Sequence, residues 1–303
     1  MSNEKYDGSR LLLIVNPKSG KMKMQNNLLS VVNIFSEAGY TVTVYPTKCR
    51  LDATEYAKIH AKEYDTIVCC GGDGTLNEVI TGIMHSGADS KIGYIPSGTL
   101  NEWSSGLKIS RNIATAAKDI VTGELSPLDI GSFDDKFFSY TASFGAFTEA
   151  SYSAPQEVKN ILGQLAYLFE GIKSLGNIKP ISMTFEVDGK IIEGEFLFGA
   201  ISNSLSVGGI VKYDKKSVTL NDGLFEVMLI HNPKNPIQLQ SLISAVLTQN
   251  YDNPYIEFYP AKEIKVTNCE GVAWTLDGEK AVSSKELIIK NLHNAIKFYL
   301  PKK

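Results

Sequence analysis

The chain has 303 residues, 43% of them hydrophobic, enough apolar material for two ordinary cores. Its 30 Lys and Arg against 33 Asp and Glu leave a formal charge of −3, which argues against a protein built to coat a polyanion, and no nucleic-acid partner is expected. The four cysteines, Cys49, Cys69, Cys70 and Cys269, lack both the density of a disulfide scaffold and the spacing of a zinc site, and read as reduced, mostly buried thiols.

Residues 10–16 (RLLLIVN) are a short apolar run stopped by Pro17 and Gly20, the pattern of a strand buried on both faces of a parallel sheet. Leu28, Val31, Val32 and Phe35 then recur at helical spacing, Gly39 supplies a stop, and residues 41–45 (TVTVY) return to β-branched strand chemistry. Asp52 with Glu55 reads as a capping box opening a helix to about residue 64, ahead of another buried strand at 66–70 (TIVCC). Gly71-Gly72-Asp73-Gly74-Thr75 follows. Thr75 and Glu78 read as a second capping box, with Leu76, Val79, Ile80 and Ile83 as the apolar stripe of the next helix. Residues 91–95 give a further strand, Pro96-Ser97-Gly98-Thr99 a loop, and residues 112–121 a helix. This is a doubly wound α/β pattern, whose ligands belong at the carboxyl ends of the strands, where the loops 16–21, 71–75 and 96–101 are expected to converge.

From about residue 128 short strands predominate, at 137–143, 181–187, 191–199, 224–230, 255–259, 263–267 and 272–276, with Asp188-Gly189 as a hairpin marker. They predict an antiparallel β-rich second domain carrying helices near 155–175 and 236–250. The run at 287–299 is expected to return to the first domain. The expected boundaries are 1–127 joined by 288–303, and 128–287. Residues 1–7 carry no apolar signal core and no stretch approaches the ~18 apolar residues of a membrane span, so a cytoplasmic protein is expected.

The glycine loop after the second buried strand carries the first chemistry. Main-chain N–H groups beside the positive end of a helix dipole attract phosphate. Asp73 would repel that phosphate unless a divalent cation or a transferring proton lies between them, which points to phosphoryl transfer with Mg²⁺; Asp in a simple turn is the other reading. Asn16-Pro17-Lys18-Ser19-Gly20-Lys21 places polar groups and two cations where the first strand ends. It is not a Walker A motif, because Val15 stands where the first glycine belongs and Met22 follows Lys21. Taken alone, this loop reads more readily as a solvated turn, and the one at 96–102 is weak evidence by itself.

Together, Asn16-Pro17-x-Ser19-Gly20-Lys21, Gly71-Gly72-Asp73-Gly74-Thr75-x-Asn77-Glu78 and Pro96-x-Gly98-Thr99-x-Asn101 resemble the catalytic domain shared by diacylglycerol kinases, sphingosine kinases and related bacterial lipid kinases. Asn221-Asp222-Gly223-Leu224-Phe225 and Asp277-Gly278-Glu279 extend the resemblance into the second half. It implies a nucleotide-binding α/β domain, a β-rich lipid-acceptor domain, and an active site in the cleft between them. It also implies ATP and Mg²⁺ as cofactors and a lipid alcohol at a membrane surface as substrate, reached peripherally from the inner face; a homodimer is compatible. By the same resemblance Asn16, Pro17, Lys18, Ser19, Gly20, Thr47, Gly71, Gly72, Asp73, Gly74, Thr75, Leu76, Asn77 and Thr99 match nucleotide-contacting positions, with Asp73 also in the magnesium–phosphate network and Lys21 adding charge. Glu279 matches the proton acceptor for the substrate hydroxyl, and Thr219, Asp222 and the carbonyl of Leu224 match a structural magnesium position.

One departure is visible: the family commonly has Asn-Asp after the third-loop Gly-Thr, whereas this chain has Asn101-Glu102 followed by Trp103. Two rival readings remain open at this point, an NAD kinase-like enzyme with a soluble acceptor and a non-catalytic binding protein of the same fold. Diacylglycerol leads among the lipid acceptors. Asp277-Gly278 and Asp222-Gly223 also read as plain turns, and Trp274 as a core aromatic. The stripe of Val158, Ile161, Leu162, Leu165, Phe169 and Ile172 is where a membrane-facing surface would be sought, although such stripes more often pack on their own domain.

Overall fold

The structure, a computed structural model, describes residues 8–22, 24–99, 101–145, 180–204, 206–207, 211–212 and 219–302. Leu100, the side chains of Lys21 and Glu102, and the helix expected near 155–175 with its apolar stripe lie outside the described residues. The chain divides into two compact units, Met1–Ile130 with His293–Lys303, and Gly131–Leu292.

In the first unit, β1 (Arg10–Val15), β2 (Thr41–Pro46), β3 (Thr66–Gly71) and β4 (Lys91–Pro96) pair in parallel in the order β2-β1-β3-β4. Their apolar runs are those of a sheet covered on both faces: Leu11, Leu12, Leu13 and Ile14 have no exposed surface, and every residue of β3 is buried. α1 (Leu28–Glu37) connects β1 to β2, α2 (Asp52–His60) connects β2 to β3, and α3 (Asp73–Ser86) connects β3 to β4. The chain runs outward from β1 to β2 and back across β1 to β3, so right-handed crossovers send α1 to one face and α2 and α3 to the other. The switch between β1 and β3 is the place where such sheets open a ligand crevice. Beyond β4 come the short α4 (Glu102–Gly106) and α5 (Ile113–Thr122), whose Asn112 cap accepts from Thr115 N at 3.0 Å.

Neither expected capping box forms. α2 begins at Asp52 itself, whose carboxylate accepts from Tyr45 Oη at 2.9 Å and Lys48 N at 2.7 Å; α3 begins at Asp73 behind Gly72. Tertiary partners claim the side chains that would have capped. Thr75 Oγ1 accepts from Asn16 Nδ2, and Glu78 Oε1 accepts from Leu51 N, both at 2.9 Å.

β5 (Glu124–Phe133) leads into the second unit, where β6 (Lys136–Phe138), β7 (Thr141–Gly145), β8 (Ile181–Val187) and β9 (Lys190–Ser202) are followed by the short β10 (Ser206–Val207) and β11 (Val211–Lys212). β12 (Phe225–His231), α6 (Pro236–Thr248), β13 (Ile256–Ala261), β14 (Glu263–Thr267), β15 (Ala273–Leu276), β16 (Glu279–Val282) and β17 (Glu286–Leu300) complete the chain. Pairing within this unit is antiparallel, and β9 is long enough to hold β8 along its first half and both β7 and β12 along its second. β12 is buried on both faces. Phe225, Val227 and Leu229 join the core that contains Phe144, Phe185 and Trp274, while Met228 and Ile230 pack with Leu242 and Ala245 of α6. Trp274 is a core residue, its ring 4.7 Å from Phe144 and 5.3 Å from Phe133 between centroids. The strand expected at 137–143 is split into β6 and β7, because the N–H groups of Ser139, Tyr140 and Thr141 turn toward the Asp277 carboxylate. The far end of β17 returns to the first unit beside β4, in parallel, with Phe298 opposite Ile92.

Candidate functional site

Three loops meet at the carboxyl ends of β1, β3 and β4. Asn16 holds the first to the second: its N–H donates to Cys70 O at 2.8 Å, its side-chain amide donates to Thr75 Oγ1, and its Oδ1 accepts from Lys18 N at 3.0 Å. The Ser19 and Ser97 hydroxyls lie 2.6 Å apart and join the first loop to the third. Gly20 has φ +50 and runs so close to the third loop that a Cβ there would stand 1.7 Å from Ser97 O. Gly98 meets the second loop in the same way, since a Cβ on it would lie 2.5 Å from Gly72 Cα. These two glycines are required by backbone packing and not merely tolerated in turns.

Asn101 fixes the third loop. It sits in the left-handed region (φ 50, ψ 54), which Asn tolerates, and is 3% exposed. Its Oδ1 accepts from Gly98 N at 3.0 Å and Tyr94 Oη at 3.2 Å, and its Nδ2 donates to Gly98 O at 2.8 Å. Burial, followed by the charge of Asp73, pushes the Tyr94 hydroxyl far above its ordinary value, so it stays protonated as the donor. Burial likewise raises the Cys69 and Cys70 thiols, which excludes thiolate chemistry there.

Asp73 is the first residue of α3, and its Oδ1 accepts from Trp103 N at 3.4 Å. Trp103 is 7% exposed and packs edge-on against Phe298, 4.9 Å between centroids, so its ring belongs to the core. Thr47 N donates to Val15 O at 2.8 Å, which places Thr47 at the ends of β1 and β2, and Glu78 holds the following turn through Leu51 N. Of the residues singled out from sequence, Asn16 contacts both Ser19 and Thr75 directly, while Gly20, Gly72 and Asp73 meet the third loop and the helix after it through Ser97, Gly98 and Trp103. Thr99 borders an open cavity of about 440 Å³ that the third loop lines with Ser97, Gly98 and Asn101, beside Asn26, Asn27, Arg111 and Asn112. The pins Tyr94, Ser97 and Asn101 carry no signature by residue type; only the fixed spacing of Asn101 behind Gly98 gave a signal.

In the second unit, Glu279 is exposed and opens β16 immediately after a two-residue turn, where it pairs with Leu276. The Asp277-Gly278 turn is the hairpin expected from sequence, and Glu279 is an exposed strand residue beside it. Asp222 Oδ1 accepts from Leu224 N at 3.0 Å, and Leu224 O accepts from Asn291 Nδ2 at 3.0 Å, which leaves that carbonyl a second lone pair. Near this turn Glu226 is 8% exposed and its Oε2 has no hydrogen-bond partner among the described residues. Its carboxyl is pushed up to about 8 by burial, with the charge of Asp222 adding. Oxygen ligands are those a hard cation such as Mg²⁺ prefers, but among the described residues no group of three or more His, Cys, Asp or Glu side chains comes together to hold one.

Residues 10–133 match the family model of the diacylglycerol kinase catalytic domain, and residues 142–288 match that of the YegS C-terminal NAD kinase beta sandwich-like domain. The diacylglycerol kinase of Bacillus subtilis (strain 168) is 35% identical over 272 residues, 89% of each chain. That of Staphylococcus aureus (strain MRSA252) is 31% identical over 89% of this chain and 86% of its own. A crystal structure of a candidate diacylglycerol kinase from Bacillus anthracis str. Sterne superposes with a TM-score of 0.79 at 26% identity, covering 99% of this chain and 98% of that one.

Proposed function

Because the chain belongs to the diacylglycerol kinase family, we propose that it transfers the γ-phosphate of ATP, with Mg²⁺, to a lipid hydroxyl, diacylglycerol being the leading acceptor. One observation carries the reading: Gly72 and Gly98 pack main chain against main chain at the start of α3, and Asp73 is the first residue of that helix. N–H groups at a helix start receive phosphate oxygens, and glycines leave room for them to reach the backbone. A carboxylate among them opposes a bare phosphate and suits one accompanied by a divalent cation.

Asn16, Pro17, Lys18, Ser19, Gly20, Lys21, Thr47, residues 71–77 and Thr99 are the proposed nucleotide contacts. The bonds from Asn16 to Thr75 and between Ser19 and Ser97 hold the first loop in shape before the nucleotide arrives, so less ordering is left to binding. Asp73 would hold the cation at the phosphates, and Thr219, Asp222 and the Leu224 carbonyl a second, structural one. When bound, Mg²⁺ offsets the charge of the phosphate oxygens and orients them. Glu279 takes the proton of the acceptor hydroxyl as its oxygen attacks phosphorus, which spares the reaction a free alkoxide.

A lipid acceptor places the reaction at a membrane surface, reached from the side: among the described residues no helix is long and apolar enough to cross one. The test is label transfer from γ-labelled ATP to diacylglycerol and other lipid alcohols in mixed micelles, beside soluble NAD. A labelled lipid that disappears with Asp73→Asn is expected. Label in NAD alone, or nucleotide bound with no lipid labelled, overturns the proposal.

A further inference from the structure

The turn before Glu279 is held more firmly than a hairpin requires. Leu276 pairs with Glu279, and Asp277 (φ 48) and Gly278 (φ 89) adopt the left-handed conformations of a type I′ turn. The same turn recurs at Asp188 (φ 46) and Gly189 (φ 88) between β8 and β9, where Asp188 is exposed and its carboxylate accepts from two main-chain groups, Lys262 N and Glu263 N. Asp277 is 5% exposed, and its carboxylate accepts from three successive groups: Ser139 N at 2.5 Å, Tyr140 N at 3.0 Å and Thr141 N at 2.9 Å. In return Asp277 N donates to Thr141 O at 2.9 Å.

Three consecutive N–H groups aimed at one point form an anion-binding concavity, and here the chain fills it with its own carboxylate. Such charge-assisted bonds are about twice as strong as neutral ones. Two consequences follow for the residue two positions on. The hairpin is tied at its tip to the corner between β6 and β7, so the main chain of Glu279 is not free to swing. The charge of Asp277 is taken up by those amides, so its carboxylate is not the group the turn would offer to a substrate.

We infer that Asp277 is a positioning residue for Glu279, aligning the proton acceptor without touching substrate. The inference rests on the proposed role of Glu279. Asp277→Asn keeps the shape but turns an NH₂ toward N–H donors, so at least one of the three bonds is lost. The expected result is a roughly hundredfold fall in kcat, the scale of a displacement of about 1 Å in an active site, with nucleotide affinity changed by less than about twofold. In a Glu279→Gln background the same substitution costs no further activity, because no base remains to be aligned.

The outcomes separate the two ideas. Wild-type kcat in Glu279→Gln removes the base and, with it, anything that aligns the base. An impaired Glu279→Gln beside an unimpaired Asp277→Asn overturns the inference alone. So does an Asp277→Asn loss that is equally large in the Glu279→Gln background, since that loss would be general. Should Asp277→Asn fail to fold, Gly278→Ala loosens the turn without touching the anchor: nothing lies within 4 Å of its added Cβ, but φ +89 strains it. About a tenfold fall in kcat, absent in the Glu279→Gln background, is expected there, and wild-type kcat in the folded protein counts against the inference.

Discussion

Asn101 and Glu226 are both buried polar residues, and the chain treats them in opposite ways. Asn101 meets two donors and one acceptor from its own loop and strand, and with them finishes the wall of the first unit's site. Glu226 lies in β12 between two apolar residues, with one carboxyl oxygen unpartnered among the described residues and its proton held up to about 8. The first arrangement is complete before any ligand arrives. The second is left to a proton or a cation, and so its stability depends on conditions that leave Asn101 unaffected.

The largest effect should come from breaking the completed side at Gly20. Gly20→Ala drives a Cβ to 1.7 Å from a backbone oxygen in a left-handed conformation, and a backbone atom cannot swing away. A loss of at least about 3 kcal/mol in unfolding free energy is expected by denaturant titration, together with a nucleotide affinity weakened more than about tenfold by calorimetry. Near-wild-type values for both would mean that the loops are not preassembled.

The intermediate effect sharpens the other side. Glu226 holds its proton to about pH 8 in the folded chain, against 4.5 as the ordinary value. The stabilisation from that proton is full below pH 4.5, is lost as pH rises toward 8, and levels off above it. Glu226→Gln does not titrate. Its unfolding free energy relative to wild type should rise between about pH 5 and pH 8, by on the order of 3 kcal/mol, since one proton held only by the folded chain changes stability by about 1.4 kcal/mol for every tenfold change in proton concentration. Parallel pH profiles for the two proteins would show that Glu226 is not the titrating group.

The smallest effect tests how evenly the completed network is shared. Tyr94→Phe removes a donor whose bonds to Gly71 O and Asn101 Oδ1 are long, 3.3 and 3.2 Å, and leaves the Gly98–Asn101 bonds in place. About 1 kcal/mol of stability should go, with kinase activity reduced less than about threefold. Collapse of nucleotide binding would make Tyr94, and not Asn101, the pin of the third loop.

Much of the fold can be read locally because its signals are local. RLLLIV and TIVCC are apolar without interruption and became strands buried on both faces; Asp188-Gly189 forms the two-residue turn its side chains favour. β5 gave no such signal, since Pro127 interrupts a run with no sustained alternation. The glycine loops were legible as motifs, but not the contacts that assemble them. Thr75 and Glu78 look like a capping pair until partners 59 and 27 residues away claim them. The tie from Asp277 to Ser139 spans 138 residues, and no spacing rule reaches so far.

The pairing of Phe298 with Ile92 bears on how the protein is made. On the ribosome β4 emerges some two hundred residues before its neighbour, so a sheet of β1 to β4 waits with its β4 edge unpaired while the second unit is synthesised. A nascent chain stalled before residue 297 would display that edge to any strand nearby, and holding chaperones would find their longest task there.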